Sequence, residues 1–427
     1  MPIQQKRGVI LLSIDAVRSD RLGCYGYNRG ITKNWDSIAR EGVLFENCIA
    51  PSSLTPICMS SILCGAYPNK HTVRDPFCRI EATTIAEILK GQGYKTAGFV
   101  GNGLLGARHN FNRGFDFFDE PKGDASWGTL KEESGAISYE GHWWIDNMFK
   151  WLEENYKSDF FIWGHYYETH EGAENSLLKK GWIKEGVLAD FRYMGALIKL
   201  MDEKLLGGLL TVLEKLNIAE DTILVVMADH GTGIGEHPGF TTPWRDEIYF
   251  PQHLTLYDQD LKVPLVMKGK GLPRGKKIKG MVRSIDVVPT LLSFLEIPIE
   301  NLGFDGINLC PATTKGNAQG LVNYAYAEEL FEKRGPGAIQ ALRTEECKFI
   351  RNLTKGSEEF YNLKNDPSEQ KNLLPGMRGE EEKKMLENMR GQLNNFLIKT
   401  KSGSSAVFSA KEKAEIDSRL RALGYIE

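Results

Sequence analysis

The sequence lacks long apolar stretches, paired-cysteine motifs and any strong excess of one charge. No run of about 18 apolar residues occurs, so we predict no membrane span. Lysine and arginine number 53 against 56 acidic residues, giving a net charge of −3. A balance this close predicts neither a nucleic-acid-binding surface nor an anionic-membrane surface.

The cysteines are few and do not suggest disulfides. There are seven, an odd number, and none forms a CxxC pair. Five fall in the first 80 residues, inside apolar or turn-like segments. The pattern predicts buried free thiols rather than a disulfide framework.

The N-terminal apolar run is too short for a secretory signal. Two basic residues precede Val9–Ile14, and Asp15 ends the run. A signal peptide needs roughly 7–15 apolar residues and a small-residue cleavage site. We interpret the run as a buried first strand and expect a cytoplasmic protein, although a chain whose leader had been removed would read the same way.

Strand-like and helical patterns alternate over most of the chain. Continuous apolar runs, typical of strands covered on both faces, occur at Val9–Ile14, Phe160–Trp163 and Thr222–Met227. Helical spacing occurs between them, as at Thr32–Glu41 and Leu188–Leu216, and a further helix is predicted to begin near Ser60 after a Pro-containing loop. This order predicts an α/β fold with a mostly parallel central sheet sandwiched by helices.

The pattern changes after about residue 320. Short strand-like segments follow one another and precede a charged helix: Tyr324–Leu330, Ala338–Arg343, Cys347–Asn352, Glu359–Leu363 and the helix from Gly379 to Lys399. A chain of 427 residues also exceeds the roughly 250–300 at which one core stops growing. We predict a large domain over residues 1–320 and a small subdomain over 321–427, with an antiparallel sheet plus helices.

Acidic and imidazole side chains follow three of the predicted strands. Asp15 follows the first, His165 the second, and Asp229 and His230 the third. Ligands in parallel sheets lie beyond the carboxyl ends of strands, so we expect these side chains to converge. Singly, each has a structural reading as a helix cap, a turn residue or a buried histidine, and the prediction depends on their occurring together.

Five groups of segments in a fixed order carry a more specific pattern. They are Ile14–Asp20 with Gly23–Tyr27; Thr55–Gly65 with Tyr67, Pro68 and His71; Ala228–Gly231 with Gly235–His237; Leu256–Tyr257 with Val263–Leu265 and Ser284–Thr290; and Phe360–Leu363 with Asp366–Glu369, Asn372 and Leu373. Together they resemble the sulfatase family of the alkaline phosphatase-like superfamily. The resemblance covers nearly the whole chain and implies that family's fold and ester hydrolase activity.

The resemblance implies that the nucleophile lies ten residues before Gly65, at Thr55. In sulfatases this position is Cys or Ser oxidised to formylglycine, with Pro two residues on and Arg four residues on. Here Ile57 and Met59 hold those places. Threonine is not converted to the aldehyde, and its hydroxyl resembles the nucleophile of phosphodiesterases, phosphotransferases and phosphate monoesterases in the superfamily.

The same resemblance implies that Asp15, Thr55, Asp229 and His230 hold one divalent metal ion. A cation on the hydroxyl oxygen stabilises the alkoxide. Oxygen ligands favour Ca, Mg or Mn, while an imidazole also accepts Zn or Mn. The family commonly has a second acid directly after the first, and this chain has Ala16 there.

Five further residues are candidates through their places in the motifs. His170 resembles the family's anion-binding or leaving-group histidine, and His253 stands where the family often has a Lys that contacts the anion. Asn102 stands where sulfatases have a Lys. We assign catalytic roles to Thr55, His170 and His253, and substrate binding to Asn102, His165 and His237.

These assignments favour a metal-dependent hydrolase of small-molecule phosphate, phosphonate or sulfate esters, with phosphoesters or phosphodiesters preferred. Two alternatives stay open: a sulfuric ester hydrolase that works without formylglycine, and a sulfatase-like binding protein without catalysis. The sequence does not decide the substrate, the metal or the oligomeric state, and a homo-oligomer is compatible with it.

Overall fold

An eight-stranded sheet forms the centre of the molecule. The computed structural model describes residues 8–121, 130–131, 137–138, 143–169, 192–233, 236–237, 242–244, 248–250, 255–331, 337–398 and 414. The strands of the sheet are β1 (Gly8–Ile14), β2 (Val43–Ile49), β3 (Lys95–Val100), β4 (Phe117–Asp119), β5 (Phe160–Tyr166), β6 (Thr222–Ala228), β7 (Lys262–Lys268) and β8 (Lys276–Arg283). Their order is β8-β2-β7-β6-β1-β5-β3-β4. All are parallel except β7, which runs antiparallel to both neighbours.

The apolar runs form the middle of this sheet because helices cover both of its faces. All seven residues of β1, β5 and β6 are buried. In register, Ile14 pairs with Tyr166 on one side and Ala228 on the other. The residues that follow these strands therefore emerge side by side at one edge of the sheet.

Helices connect and cover the strands. They are α1 (Lys33–Glu41), α2 (Thr55–Cys64), α3 (Pro68–His71), α4 (Ile85–Gly91), α5 (Trp143–Asn155), α6 (Arg192–Met201), α7 (Gly208–Lys215), α8 (Asp258–Leu261), α9 (Val287–Phe294), α10 (Cys310–Lys315) and α11 (Glu380–Ile398). A π-helical segment, Asp202–Gly207, joins α6 to α7. Short 3₁₀ turns lie at Ser19–Arg21, Gly23–Tyr25, Gly103–Leu105, Ala107–His109 and Ser284–Asp286.

The helix α2 differs from the sequence-based expectation. The sequence suggested a helix beginning near Ser60 after a Pro-containing loop, but the helix begins at Thr55 and includes Pro56 in its first turn. Proline is favoured there because the first-turn N–H groups have no partner within the helix. All ten residues of α2 are buried, so it is an internal element of the core.

A small antiparallel sheet follows the large one. Its strands run in sequence order: β9 (Ala325–Glu329), β10 (Ile339–Arg343), β11 (Cys347–Asn352) and β12 (Ser357–Asn362). Leu386, Met389 and Leu393 of α11 pack in a cluster with Phe349 and Phe360 of this sheet. The predicted α/β class with a small antiparallel sheet is confirmed, while the boundary at residue 320 stays a prediction.

Two pairs of short strands complete the description, Leu130–Lys131 with Ile137–Ser138 and Thr242–Trp244 with Ile248–Phe250. None of the helices in the described ranges is both long and apolar enough to cross a bilayer. All seven cysteines are free thiols, and five of them are buried. The prediction of unpaired cysteines is confirmed.

Candidate active site

The carboxyl ends of β1 and β6 bring two aspartates together. Asp15 follows β1, Asp229 follows β6, and the Asp229 amide donates to the Ile14 carbonyl at 3.3 Å. Ala16 adopts a left-handed conformation, with φ of 57°. This turn directs its amide to Asp229 Oδ1, at 3.2 Å. Left-handed backbone is costly for a residue with a Cβ, and such strain is typical of functional sites.

Asp15, Asp229 and His230 form a compact group suited to a cation. One ligand atom from each lies within 4.8 Å of the others, and all three residues are at most 1% exposed. Asp229 Oδ1 accepts the His230 amide at 2.8 Å. Its Oδ2 is buried and accepts no hydrogen bond from the described part of the chain.

The hydrogen bond of His230 Nδ1 fixes the tautomer of its ring. Its Nδ1 lies 2.7 Å from the Gly231 carbonyl oxygen. A carbonyl only accepts, so Nδ1 carries the hydrogen and Nε2 presents a lone pair to the group. Two carboxylates and one imidazole nitrogen therefore converge with their unshared electrons directed at one small volume, which fits a divalent cation.

Thr55 completes this group from the other side. It is the first residue of α2, and its Oγ1 lies 3.2 Å from Asp15 Oδ2 and 3.1 Å from His230 Nε2. The N-terminus of a helix favours negative charge because its backbone N–H groups point outward. An alkoxide at Thr55, or an anion beside it, would gain from that position.

The electrostatics of the group match a site built for positive charge. Burial raises the pKa of Asp229, His230 opposes this rise, and the Asp15 carboxylate adds to it. Burial alone would lower the pKa of His230, but Asp229 and Asp15 outweigh it and raise the pKa above its ordinary value. Like charges held together in a dry interior are costly without a cation between them.

His165 supports Asp15 from within the sheet. It is fully buried on β5, with Nδ1 2.9 Å from Ser13 Oγ and Nε2 3.4 Å from Asp15 Oδ2. Trp163 donates its indole N–H to the same Ser13 oxygen at 3.1 Å. These contacts orient the carboxylate of Asp15, whereas the sequence assigned His165 to substrate binding, a role that stays a prediction.

Asn102 lies beside the end of β5. The residue before it, Gly101, donates its amide hydrogen to the His165 carbonyl. Its Oδ1 accepts the Leu104 amide at 2.9 Å. Its Nδ2 is buried and makes no hydrogen bond within the described ranges. A neutral donor therefore occupies the place where sulfatases have a cation.

Glu168 and Thr169 directly follow β5 and were not predicted as site residues from the sequence. Thr169 donates to the Asp15 carbonyl at 2.6 Å. Glu168 is 3% exposed, and burial raises its pKa to about 8, with a contribution from Asp15. Trp144 donates to Glu168 Oε1 at 3.4 Å. Glu168, like Asp15, lies just beyond a buried strand, and this position in the sequence could have identified it as a site candidate.

Of the remaining candidates, His237 lies outside this group. His237 stacks on Tyr257, with ring centroids 3.6 Å apart, in a polar cleft of about 400 Å³ that also contains Arg18 and Lys262. Thr55 is not among the described residues that line this cleft. His170 and His253 lie outside the described residues, so their roles stay predictions.

Comparison with known proteins identifies the family. Residues 7–297 match the family model described as Sulfatase, and residues 246–399 match one described as N-sulphoglucosamine sulphohydrolase, C-terminal. The first match covers well over half of the chain. The chain belongs to the sulfatase family. It is a sulfatase-family ester hydrolase, and members of this family generally bind a divalent metal, as the group around Asp15 would allow.

Characterised sulfatases resemble it at low identity over most of their length. An ulvan-active sulfatase of Formosa agariphila is 24% identical over 413 residues, covering 86% of this chain and 77% of that protein. Human arylsulfatase A is 23% identical, covering 89% of this chain and 85% of its own.

Solved structures share the sulfatase fold. A structure in complex with its substrate D-glucosamine-2-N,6-O-disulfate superposes with a TM-score of 0.75 at 18% identity, covering 94% of this chain and 100% of that one. A phosphonate monoester hydrolase of Agrobacterium radiobacter superposes with a TM-score of 0.72 at 18% identity, covering 92% and 95%.

Proposed function

We propose that this sulfatase-family hydrolase cleaves phosphate esters, with phosphodiesters preferred, and that Thr55 is the nucleophile. The observation that supports this most strongly is the position of Thr55 Oγ1, within 3.2 Å of both Asp15 Oδ2 and His230 Nε2 at the start of a buried helix. A hydroxyl so placed has a proton acceptor on one side and a helix N-terminus behind it.

Cys58 does not compete with Thr55 for this role. Its thiol donates to the Ser52 carbonyl at 3.0 Å and is fully buried. Burial raises its pKa well above the ordinary value, with further contributions from Asp229 and Glu329. A thiol with a raised pKa is a poor nucleophile because the thiolate is the reactive form.

Asp15, Asp229, His230 and Thr55 would hold one divalent cation. Two carboxylates, one imidazole and one hydroxyl suit Mn²⁺ or Zn²⁺ better than Ca²⁺, which takes six to eight oxygen ligands. Such an ion, when bound, neutralises charge that develops on the oxygens of the ester. The buried Asp229 Oδ2, which accepts no hydrogen bond in the described part of the chain, is consistent with this assignment.

In the proposed reaction, Thr55 Oγ1 attacks the phosphorus and its proton passes to Asp15 Oδ2. A bond from Thr55 Oγ1 to phosphorus forms, and the bond from phosphorus to the leaving oxygen breaks. The leaving oxygen takes a proton from His170 or His253, the candidates that the family motifs supply. Water then attacks the phosphorus and gives one proton to the histidine that had lost its own. The bond from phosphorus to Thr55 Oγ1 breaks, and Thr55 takes its proton back from Asp15.

The preference for phosphorus follows from the nucleophile. Threonine is not converted to formylglycine, and its plain hydroxyl resembles the nucleophile of the phosphodiesterases and phosphate monoesterases of the superfamily. Sulfate hydrolysis without formylglycine is the second candidate, since named relatives of this chain are sulfatases. The phosphonate monoester hydrolase that shares the fold supports the first candidate, hydrolysis of phosphorus esters.

A substrate panel tests the proposal. The protein is dialysed against Mn²⁺, Zn²⁺, Mg²⁺ or Ca²⁺ and assayed with p-nitrophenyl phosphate, bis(p-nitrophenyl) phosphate, a phosphonate ester and p-nitrophenyl sulfate. We expect the diester to give the highest kcat/KM, with Mn²⁺ or Zn²⁺. Mass spectrometry of the acid-quenched protein should find a phosphoryl adduct on Thr55. Higher kcat/KM on the sulfate than on every phosphorus ester would favour the second candidate.

A further inference from the structure

The segment that carries Thr55 is held by the small antiparallel sheet. Residues 51–54 join β2 to α2 and are all buried. The Glu328 amide on β9 donates to the Pro51 carbonyl at 3.0 Å. Next to it, Ser52 Oγ bonds Glu329 Oε2 at 3.2 Å. Two consecutive residues of β9 therefore contact two consecutive residues of the segment before the nucleophile.

Ser52 transmits this contact to the start of α2. Its Oγ also accepts the Leu54 amide at 3.4 Å. Leu54 is the residue directly before Thr55, and as a leucine it provides no side-chain cap to the helix. The backbone that places Thr55 thus depends on Ser52, whose orientation depends on Glu329.

Glu329 differs from its neighbour in having no basic partner among the described contacts. Arg74 pairs with Glu328, which also accepts the Tyr326 hydroxyl at 2.6 Å. Glu329 is fully buried, and its hydrogen-bond partners within the described part of the chain are neutral: the Ser52 hydroxyl and the Phe331 amide at 2.9 Å.

A buried carboxyl of this kind is most stable when protonated. Burial raises the pKa of Glu329 to about 8, and the nearby charges of Glu328 and Asp75 contribute in the same direction. At neutral pH it therefore remains a neutral hydrogen-bonding group.

We propose that Glu329 is a positioning residue for the nucleophile: through Ser52 it holds the segment that carries Thr55, which makes the antiparallel sheet part of the catalytic apparatus. The inference rests on the proposed role of Thr55. It assigns a function to a glutamate that lies 274 positions from the nucleophile in the sequence and in a different sheet.

Three variants test it: Ser52→Ala, Glu329→Ala and Glu329→Gln. Glu358→Gln is the matched control, because Glu358 lies in the same sheet and pairs with Arg351 and Arg390 instead. With bis(p-nitrophenyl) phosphate, we expect Ser52→Ala and Glu329→Ala to lower kcat roughly 10- to 100-fold with KM little changed, since small misplacements of a reacting group cost that much. Glu329→Gln keeps a neutral hydrogen-bonding group and should retain kcat near pH 7, as should the control.

A second readout does not depend on turnover. Hydrogen exchange over residues 50–58 should accelerate in Ser52→Ala and Glu329→Ala but not in Glu358→Gln. If the wild type cleaves no ester, the proposed function fails and this exchange pattern alone decides the positioning role. Wild-type exchange in that segment, or unchanged kcat in both alanine variants, would overturn the inference. If Glu329→Ala does not fold, Ser52→Ala carries the test.

Discussion

Replacing Asp229 by Asn should stabilise the metal-free protein while abolishing its response to metal. The ligand atoms of Asp15 and Asp229 lie within 4.8 Å. Two unit charges at that distance repel by about 3 kcal/mol at an effective dielectric constant of roughly 20. Asn keeps the Oδ1 that accepts the Ala16 and His230 amides, and its amide group can donate to Asp15. Most of the repulsion should therefore be relieved without loss of a hydrogen bond.

Added metal should stabilise the wild type but not the Asp229→Asn variant. A ligand at 100 times its Kd stabilises the folded state by about 2.7 kcal/mol. We expect the wild type to gain about that much in Mn²⁺ and Asp229→Asn to gain almost nothing. Urea unfolding at pH 8, followed by tryptophan fluorescence in EDTA and in Mn²⁺, measures both effects.

Asp286→Asn provides the contrast. Asp286 is also fully buried, but it pairs with Arg283 at 2.7 Å and accepts the Ile307 amide at 2.9 Å. Breaking this pair leaves a buried arginine without its partner, which costs about 3–5 kcal/mol. That variant should be destabilised yet still respond to Mn²⁺. The reasoning is refuted if Asp229→Asn is less stable than wild type in EDTA, or if Mn²⁺ still stabilises it.

Three further predictions follow from the site. Thr55→Ser should keep kcat within about tenfold of the wild-type value, and Thr55→Ala should lower kcat by roughly 10³-fold or more. An active alanine variant would exclude Thr55 as the nucleophile. Ala16→Gly should stabilise the fold by about 1 kcal/mol in urea titrations because it relieves a left-handed φ of 57°, while Ala16→Val should destabilise it. Burial raises the pKa of Glu168 to about 8 from 4.5, so between those pH values the folded state keeps a proton that the unfolded state loses. As pH rises through this window, the free energy of unfolding of the wild type should therefore fall by about 1.4 kcal/mol per pH unit relative to that of Glu168→Gln. Equal urea midpoints for the two proteins at both pH 5 and pH 8 would contradict this prediction.

The parallel sheet was predictable because its strands are continuous apolar runs. Val9–Ile14 and Thr222–Met227 have no polar face, and this pattern is expected of strands that helices cover on both sides. The register of β1 between β5 and β6 then places Asp15 beside Asp229. The grouping of these side chains was therefore expected from strand order alone, whereas Thr55 was located only through resemblance to a family.

Other features could not be read from the sequence. The helix α2 is buried on all sides, so it has no amphipathic period to mark its start. The hydrogen bonds from β9 to residues 51 and 52 join positions far apart in the chain, which no local pattern reveals. Glu168 and Glu329 are buried carboxyls, and composition gives no indication of which acids lie inside.

The arrangement of the large sheet also bears on how the protein forms during synthesis. β2 pairs with β7 and β8, and β1 pairs with β6, so the centre of the sheet joins segments more than 200 residues apart. A nascent chain halted before residue 262 would leave β2 without either of its partners, β7 and β8, and β6 without one of its two. Exposed edges of that kind promote association between chains. β2 can therefore pair with both of its neighbours only after residue 283 has been synthesised, whereas β1, β5 and β6 are complete by Ala228.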